Sequence, residues 1–399
     1  MHIPSERVYR EMNSEAASLW YLPANDGEEV SFLIKAPTSS IKALIAGCSL
    51  HLFFGKKDSL LCTGVKILDM PGSPVFISGI QRYFEEHHAL IRALKERKFP
   101  VFLFNEMDIC LAWSTLELTE KDAYNALEFI GQESDLYVGS FTTEASHVLD
   151  CFGYSVDTTN SLPNAHAIPI CETCPDLENW QIIHNHFLSD HDSYAIIASE
   201  KDEGETFERA IWASLSSVFP STLYKSPQVR IGGKMRELTD VFSFHSYGSF
   251  LIEAKDVSVL NAGYHRDQAR RTAGVQKQIK KAITQLMGAS KAFARDDVIF
   301  KANGDELIVD RTLPPHCIVL ITELMHWGDW EEIVNQLMEA MKRTGTFFNL
   351  LDLHELIALL KVSSGKAELF DYNLMKRCKL FVEKQSVFIR IQPSRSLPP

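Results

Sequence analysis

Two short apolar runs, residues 238–244 and 249–255, lie four residues apart, and both carry charge. The residues between them, His245-Ser246-Tyr247-Gly248, suit a hairpin-like turn. Neighbours such as Val241-Phe242 and Leu251-Ile252 leave these strands little face for water, so Asp240, Glu253 and Lys255 need a reason to be there. The surrounding chain alternates. Residues 205–219 predict a helix stopped by Pro220, with Phe207, Ile211, Leu215 and Val218 as its apolar stripe. A long helix is expected over about 267–293, with Ile279, Ala282, Ile283, Leu286 and Phe293 at helical spacing. Residues 317–322 form a continuous apolar run suited to a strand buried on both faces. A helix (330–342), a strand (347–351) and a helix (353–362) follow, the last opened by a capping box of Asp352 and Glu355. This order predicts an α/β sandwich with a mixed sheet.

The first half predicts strands at 30–35, 49–54, 60–67, 74–78 and 101–105, and helices at 85–98 and 120–131. Residues 157–175, with Pro, Asn, Ser and Thr, read as a loop, and the tail 392–399 as frayed. The expected organisation is an N-terminal α+β domain over 1–192, of unassigned fold, and an α/β domain over 193–399.

Composition narrows the function. Of 399 residues, 45% are hydrophobic and 23% charged, which excludes a disordered chain. No apolar run reaches the ~18 residues of a membrane span, and the first residues lack an apolar signal core, so a cytoplasmic protein without a membrane partner is expected. Eight scattered cysteines then read as free thiols. The net charge of −12 argues against an unspecialised nucleic-acid binder. Residues 225–295, however, hold 13 Lys or Arg against five acids. A basic island in an acidic chain suggests a polyanion site.

The hairpin carries the chemistry. Neighbouring strands are ~4.8 Å apart, so Asp240 and Glu253 can converge on one hard cation. Glu253 and Lys255 are two apart and share a face, while Ala254 points away. Glu208 lies beside the apolar stripe of its helix, with Ile211, Trp212 and Leu215 at its i+3, i+4 and i+7 positions. The bland reading of Asp240 and Lys255 is a cross-strand ion pair, and of Glu208 a boundary residue reaching for water.

The run Gly204-Glu205-Thr206-Phe207-Glu208, then Arg236-Glu237-Leu238-Thr239-Asp240-Val241, then Leu251-Ile252-Glu253-Ala254-Lys255, resembles the PD-(D/E)XK nuclease superfamily. Its Mrr-like and nuclease-related branches are the nearest in appearance. The resemblance covers about residues 200–355. Its strict core is Asp240, twelve intervening residues and Glu253-Ala254-Lys255. It implies a restriction-endonuclease-like fold and a Mg²⁺- or Mn²⁺-dependent endonuclease. Asp240, Glu253 and Glu208 would hold the metal, Lys255 would position or activate water, and a glutamine of the long helix would assist. Gln278 fits best by distance, with Gln276 and Gln285 as alternatives. The family's proline is absent, since Thr239 precedes Asp240, and no tyrosine stands four residues after Gln278 or Gln276. Arg266, Arg270, Arg271, Lys277 and Lys281 would contact phosphates, with an ordinary charged helix face as the alternative.

The resemblance favours DNA as substrate, with RNA still open. It suggests a restriction or phage-defence effector gated by an N-terminal domain that binds a target or protein partner. Cutting both strands with one site per chain favours a homodimer. The alternative from another class is a catalytically silent nuclease-fold scaffold that binds a protein. Cys171-Glu172-Thr173-Cys174, with His184, His186 and His191 beyond, offers a looser zinc reading whose spacing matches no familiar finger. No P-loop, dinucleotide fingerprint, nucleophile elbow or H-E-x-x-H occurs.

Overall fold

The computed structural model describes residues 5–157, 166–188, 193–196, 203–246, 248–257 and 268–397. Mixed sheets and helices build two compact units, and the chain leaves the first between Asn185 and His186. Sequence reasoning puts that boundary at 192/193.

The first unit holds α1 (Glu6–Ser14), β1 (Ser18–Ala24), β2 (Glu29–Lys35), α2 (Thr38–Ile45), β3 (Leu50–Lys57), β4 (Leu60–Ile67) and β5 (Val75–Gln81). It continues with α3 (Phe84–Glu96), β6 (Lys98–Phe104), β7 (Cys110–Glu117), α4 (Glu120–Ile130), α5 (Thr143–Val156), β8 (Ile170–Thr173), β9 (Asp176–Leu177) and β10 (Gln181–Ile182). One sheet runs β1-β2-β6-β7-β10, with β9 also on β7, and a second runs β5-β4-β3-β8. The first is mixed, β2 and β6 being its parallel pair. Helix α5, unread in the sequence, is capped by Thr142, whose hydroxyl accepts from Ala145 N–H. Its Phe152 lies over β3 and β4 where a side chain on Gly55 would collide, an added Cβ standing 2.3 Å from the ring. Strand β8 corrects the expected loop at 157–175. Its residues pair antiparallel with Leu52–Gly55 of β3, so tertiary pairing overrides a Pro-flanked, polar local sequence.

The second unit begins within β11 (Asn185–Leu188) and continues with β12 (Ser193–Ile196), α6 (Glu203–Ser216), β13 (Leu223–Lys225), β14 (Gln228–Ile231), β15 (Lys234–Glu237), β16 (Val241–His245) and β17 (Gly248–Lys255). After it come α7 (Gln268–Ala294), β18 (Ile299–Phe300), β19 (Glu306–Leu307), β20 (His316–Ile321), α8 (Glu331–Thr344), β21 (Phe347–Asp352), α9 (Leu353–Ser363) and α10 (Ala367–Lys384). The central sheet runs β13-β16-β17-β20-β21. Its first three strands are antiparallel, while β17, β20 and β21 are parallel and joined through α7 and α8. Helical crossovers are what parallel neighbours require. Leu251 on one face of β17 joins the core made with α7 and α8. Phe250 on the other packs with tilted rings against Phe219 and Phe370. Every residue of β20 is buried, as its unbroken apolar run demands.

Two expectations need correction. Asp240 precedes β16 instead of lying within it. Its carboxylate takes the Ala254 N–H (2.8 Å), so the ladder ends at Val241↔Ile252 and the side chain is drawn onto β17. The tail is tied down at Ser394, whose N–H and carbonyl both bond the Asn373 side chain (2.7 and 3.0 Å). Helix α10, which carries Asn373, has no strong amphipathic pattern and went unread. At the far end of β17, Asp371 of α10 bridges His245 and His316 (2.9 and 2.8 Å). Gly248 makes room for it, since an added Cβ would stand 2.8 Å from that carboxylate.

Candidate functional site

The end of β17 that carries Lys255 gathers the predicted residues. Lys255 Nζ donates to Asp240 Oδ2 (3.0 Å) and to Glu253 Oε2 (2.7 Å). Alternation along β17 places Glu253 and Lys255 on the face of Leu251, as their spacing requires. Thr239 donates its hydroxyl to Ile252 O (2.7 Å). That bond pins the segment before β16 onto β17 and aims Asp240. Ser226 N–H donates to Asp240 O (2.8 Å) and fixes it from the other side. All three charged side chains are largely withdrawn from water: Glu253 is 3% exposed, Asp240 9% and Lys255 14%.

The electrostatics are unbalanced. Burial pushes the Glu253 carboxyl up to about 7, and Asp240 beside it adds to the shift while Lys255 opposes it. Glu208, half-buried on α6, is also pushed up to about 7. Burial is the first cause, Asp240 the second, and Lys225 and Lys255 pull it back. Burial works against the Lys255 charge, yet Glu253 and Asp240 outweigh it and raise its pKa, so the ammonium persists at neutral pH. Two ammoniums, Lys255 and Lys225, thus act among four carboxylates, Asp240, Glu253, Glu208 and Glu237. The excess negative charge is what a hard divalent cation would neutralise.

Other predicted residues stand apart. Gln278 is exposed on α7 and has no hydrogen bond to Asp240, Glu253 or Lys255. Gln276 instead donates to Asp329 O (2.5 Å). Arg270, Lys277 and Lys281 lie exposed along α7, a helix without a single Asp or Glu. Arg271 is paired with Glu323 (3.6 Å) and Lys280 with Glu332. Arg266 and His191 lie outside the described residues. The Cys171–Cys174 pair does not converge as a zinc site. Cys174 groups with His51 and Glu172, while Cys171 faces away on alternate β8 residues. His184 and His186 are exposed and belong to neither potential metal group among the described residues.

Sequence reasoning missed Lys225, Thr239 and the Ala254 N–H. Lys225 sat in the basic count but carried no site signal, and a backbone donor leaves none. Comparison with known protein families, with curated proteins and with solved structures found no match. No helix among the described residues is long and apolar enough to cross a membrane.

Proposed function

We propose that this chain is a metal-dependent nuclease of the PD-(D/E)XK type, acting on DNA. The observation that carries the reading is the meeting of Asp240 and Glu253 on Lys255, at 3.0 and 2.7 Å, in a buried cluster of excess negative charge. The order helix, antiparallel strands, crossover helix and parallel strand around it supports the restriction-endonuclease-like fold. The acid-free α7, with Lys277 and Lys281 exposed one turn apart, supports contact with backbone phosphates.

Asp240, Glu253 and Glu208 would hold Mg²⁺ or Mn²⁺. The raised carboxyls of Glu253 and Glu208 fit that demand, because the fold charges them only at a cost that a cation offsets. Once bound, the ion supplies charge stabilisation at the scissile phosphate. Lys255, an ammonium, donates a hydrogen bond to the water or to a phosphoryl oxygen and does not act as the base. With Glu208 held as a ligand, the proton lost by the attacking water would pass to solvent, and the leaving sugar oxygen would take one up from solvent as its phosphorus–oxygen bond breaks. Ala254 N–H and Thr239 hold Asp240 in place throughout.

One observation favours the scaffold reading: Lys255 already satisfies an oxygen of each acid, as a purely structural ion pair would. A cleavage assay separates the two. Supercoiled plasmid, linear duplex, single-stranded DNA and RNA are each incubated with Mg²⁺, Mn²⁺ or EDTA. Metal-dependent cutting lost in Lys255→Ala and Asp240→Ala is the expected result. No cutting together with no Asp240-dependent metal binding by calorimetry overturns the nuclease reading in favour of the scaffold.

A further inference from the structure

We propose that His147, Cys151 and His166 in the first unit bind one zinc ion. His147 and Cys151 lie one turn apart on α5, so their side chains share a face. His166 returns to that face from the segment before β8, its ring edge-on to His147 at 6.4 Å between centroids. The three donor atoms, one sulfur and two nitrogens, all fall within 4.8 Å of one another. Zinc binds sulfur at about 2.3 Å and imidazole nitrogen at about 2.0–2.1 Å, and a tetrahedral angle then sets the S···N edge at about 3.6 Å. Cys151 Sγ lies 3.7 Å from His147 Nε2, which is long for a strong hydrogen bond and matches that edge.

The donors are held before any ion arrives. Phe152, next to Cys151, seats α5 against β3 and β4 over Gly55 and Gly64. The Ser155 hydroxyl of the same helix accepts from Ile168 N–H (2.8 Å), which ties the segment bearing His166 to α5. Ile168 in turn packs in one apolar cluster with Cys151, Phe152 and Val156. A pre-built site loses little entropy on binding. The thiol is 2% exposed while both imidazoles reach the surface, so a fourth position faces water and a zinc-bound water fills it. The mixed sulfur and nitrogen set selects zinc over Mg²⁺, so this centre is chemically distinct from the carboxylate site of the second unit. Its role is a clip that fastens the chain entering β8 onto α5, and its binding energy adds to the stability of that unit.

The test uses the full chain, stripped with chelator and titrated with zinc against a chromophoric competitor, and separately with cobalt. One zinc per chain is expected, with a thiolate-to-cobalt charge-transfer band. Both disappear in Cys151→Ser. His166→Ala weakens zinc binding by more than the roughly 10–100-fold typical of outer-shell changes. His166 is exposed, so that variant keeps the test valid if Cys151→Ser misfolds by circular dichroism. Absence of the band in the wild type, or zinc binding lost in Cys174→Ser and unchanged in His166→Ala, overturns the proposal.

Discussion

Two buried charged clusters stand at the same end of one sheet, and their charge ledgers differ. Lys255, Ile321 and Asp352 occupy one row across β17, β20 and β21. Around Asp352, Arg390 binds both Asp352 and Glu355, and Arg377 donates to Glu355 at 2.9 Å. Asp352 also caps α9 by accepting the Glu355 N–H at 2.9 Å. Two carboxylates meet two guanidiniums there, and burial, which raises Glu355, is opposed by both arginines. At the other cluster Asp240 and Glu253 share the Lys255 ammonium, and Glu208, Glu237 and Lys225 add a further net negative charge. Burial alone therefore does not mark a site, because both clusters are buried. A balanced network fixes α9 and α10 to the sheet, whereas an unbalanced one fits the proposed metal site.

The comparison breaks most sharply on activity. Lys255→Ala and Asp240→Ala are expected to slow metal-dependent cleavage by about 10³-fold or more, since each removes charge stabilisation from the reacting phosphate. Arg377→Ala, assayed below its melting transition, should leave the rate per folded molecule unchanged. Initial rates on plasmid decide, and equal losses would dissolve the distinction.

Stability should show the reverse ranking. Arg377→Ala leaves the buried Glu355 with Arg390 as its remaining guanidinium and should cost about 3 kcal/mol. That corresponds to a melting temperature lower by on the order of 10 °C. A thermal melt showing less than a fifth of that fall would remove the structural role assigned to the arginine pair.

A smaller and opposite effect is expected at Glu253. Its pKa rises from 4.5 to about 7 in the fold, so the folded state favours the protonated form. The associated stability is fully present below about pH 4.5 and is lost as pH rises through about 7. In EDTA, Glu253→Gln should therefore stabilise the chain at pH 8 by roughly 1–3 kcal/mol and leave it unchanged at pH 4. Glu355→Gln should destabilise at pH 8, because it removes the partner of two guanidiniums. Denaturant melts at the two pH values sharpen the contrast, and a Glu253→Gln variant less stable than wild type at pH 8 would refute it.

The smallest effect lies on α7. Removing Lys277 and Lys281 together should weaken duplex binding several-fold and lower the salt slope by about 1 per lysine. Binding isotherms across a salt series measure it, and an unchanged slope would return α7 to an ordinary solvated face.

Much of the second unit was legible because its signals are local. The even-numbered spacing of Glu253 and Lys255, the unbroken run of β20 and the capping box at Asp352 each follow from a short stretch of chain. The convergence of Asp240 was legible as well, but the way it is achieved was not. It depends on a side chain replacing a ladder carbonyl at Ala254, which no periodicity announces. Strand β8 and the anchored tail were hidden for a related reason, since both are made by distant partners, β3 and Asn373. Gln278 shows the limit of spacing arguments. Its distance from Lys255 along the chain fitted, yet the rotation of α7 set by Val275, Ile279 and Ala282 turns it outward.

The bond between Lys255 and Asp240 spans only fifteen residues of chain. Closing so short a loop costs little entropy, and hairpins form in about 1–10 μs. A chain that closes this hairpin first brings its two acids together before α6 brings Glu208. Lys255 would then serve assembly as well as the proposed chemistry, as the hairpin's own countercharge while its acids approach. Refolding of Lys255→Met in EDTA should be slower than wild type at pH 8 and nearly equal at pH 4, where the carboxyls are largely neutral. Stopped-flow refolding at the two pH values reads it, and a slowdown of the same size at both would show that the lysine acts only by packing.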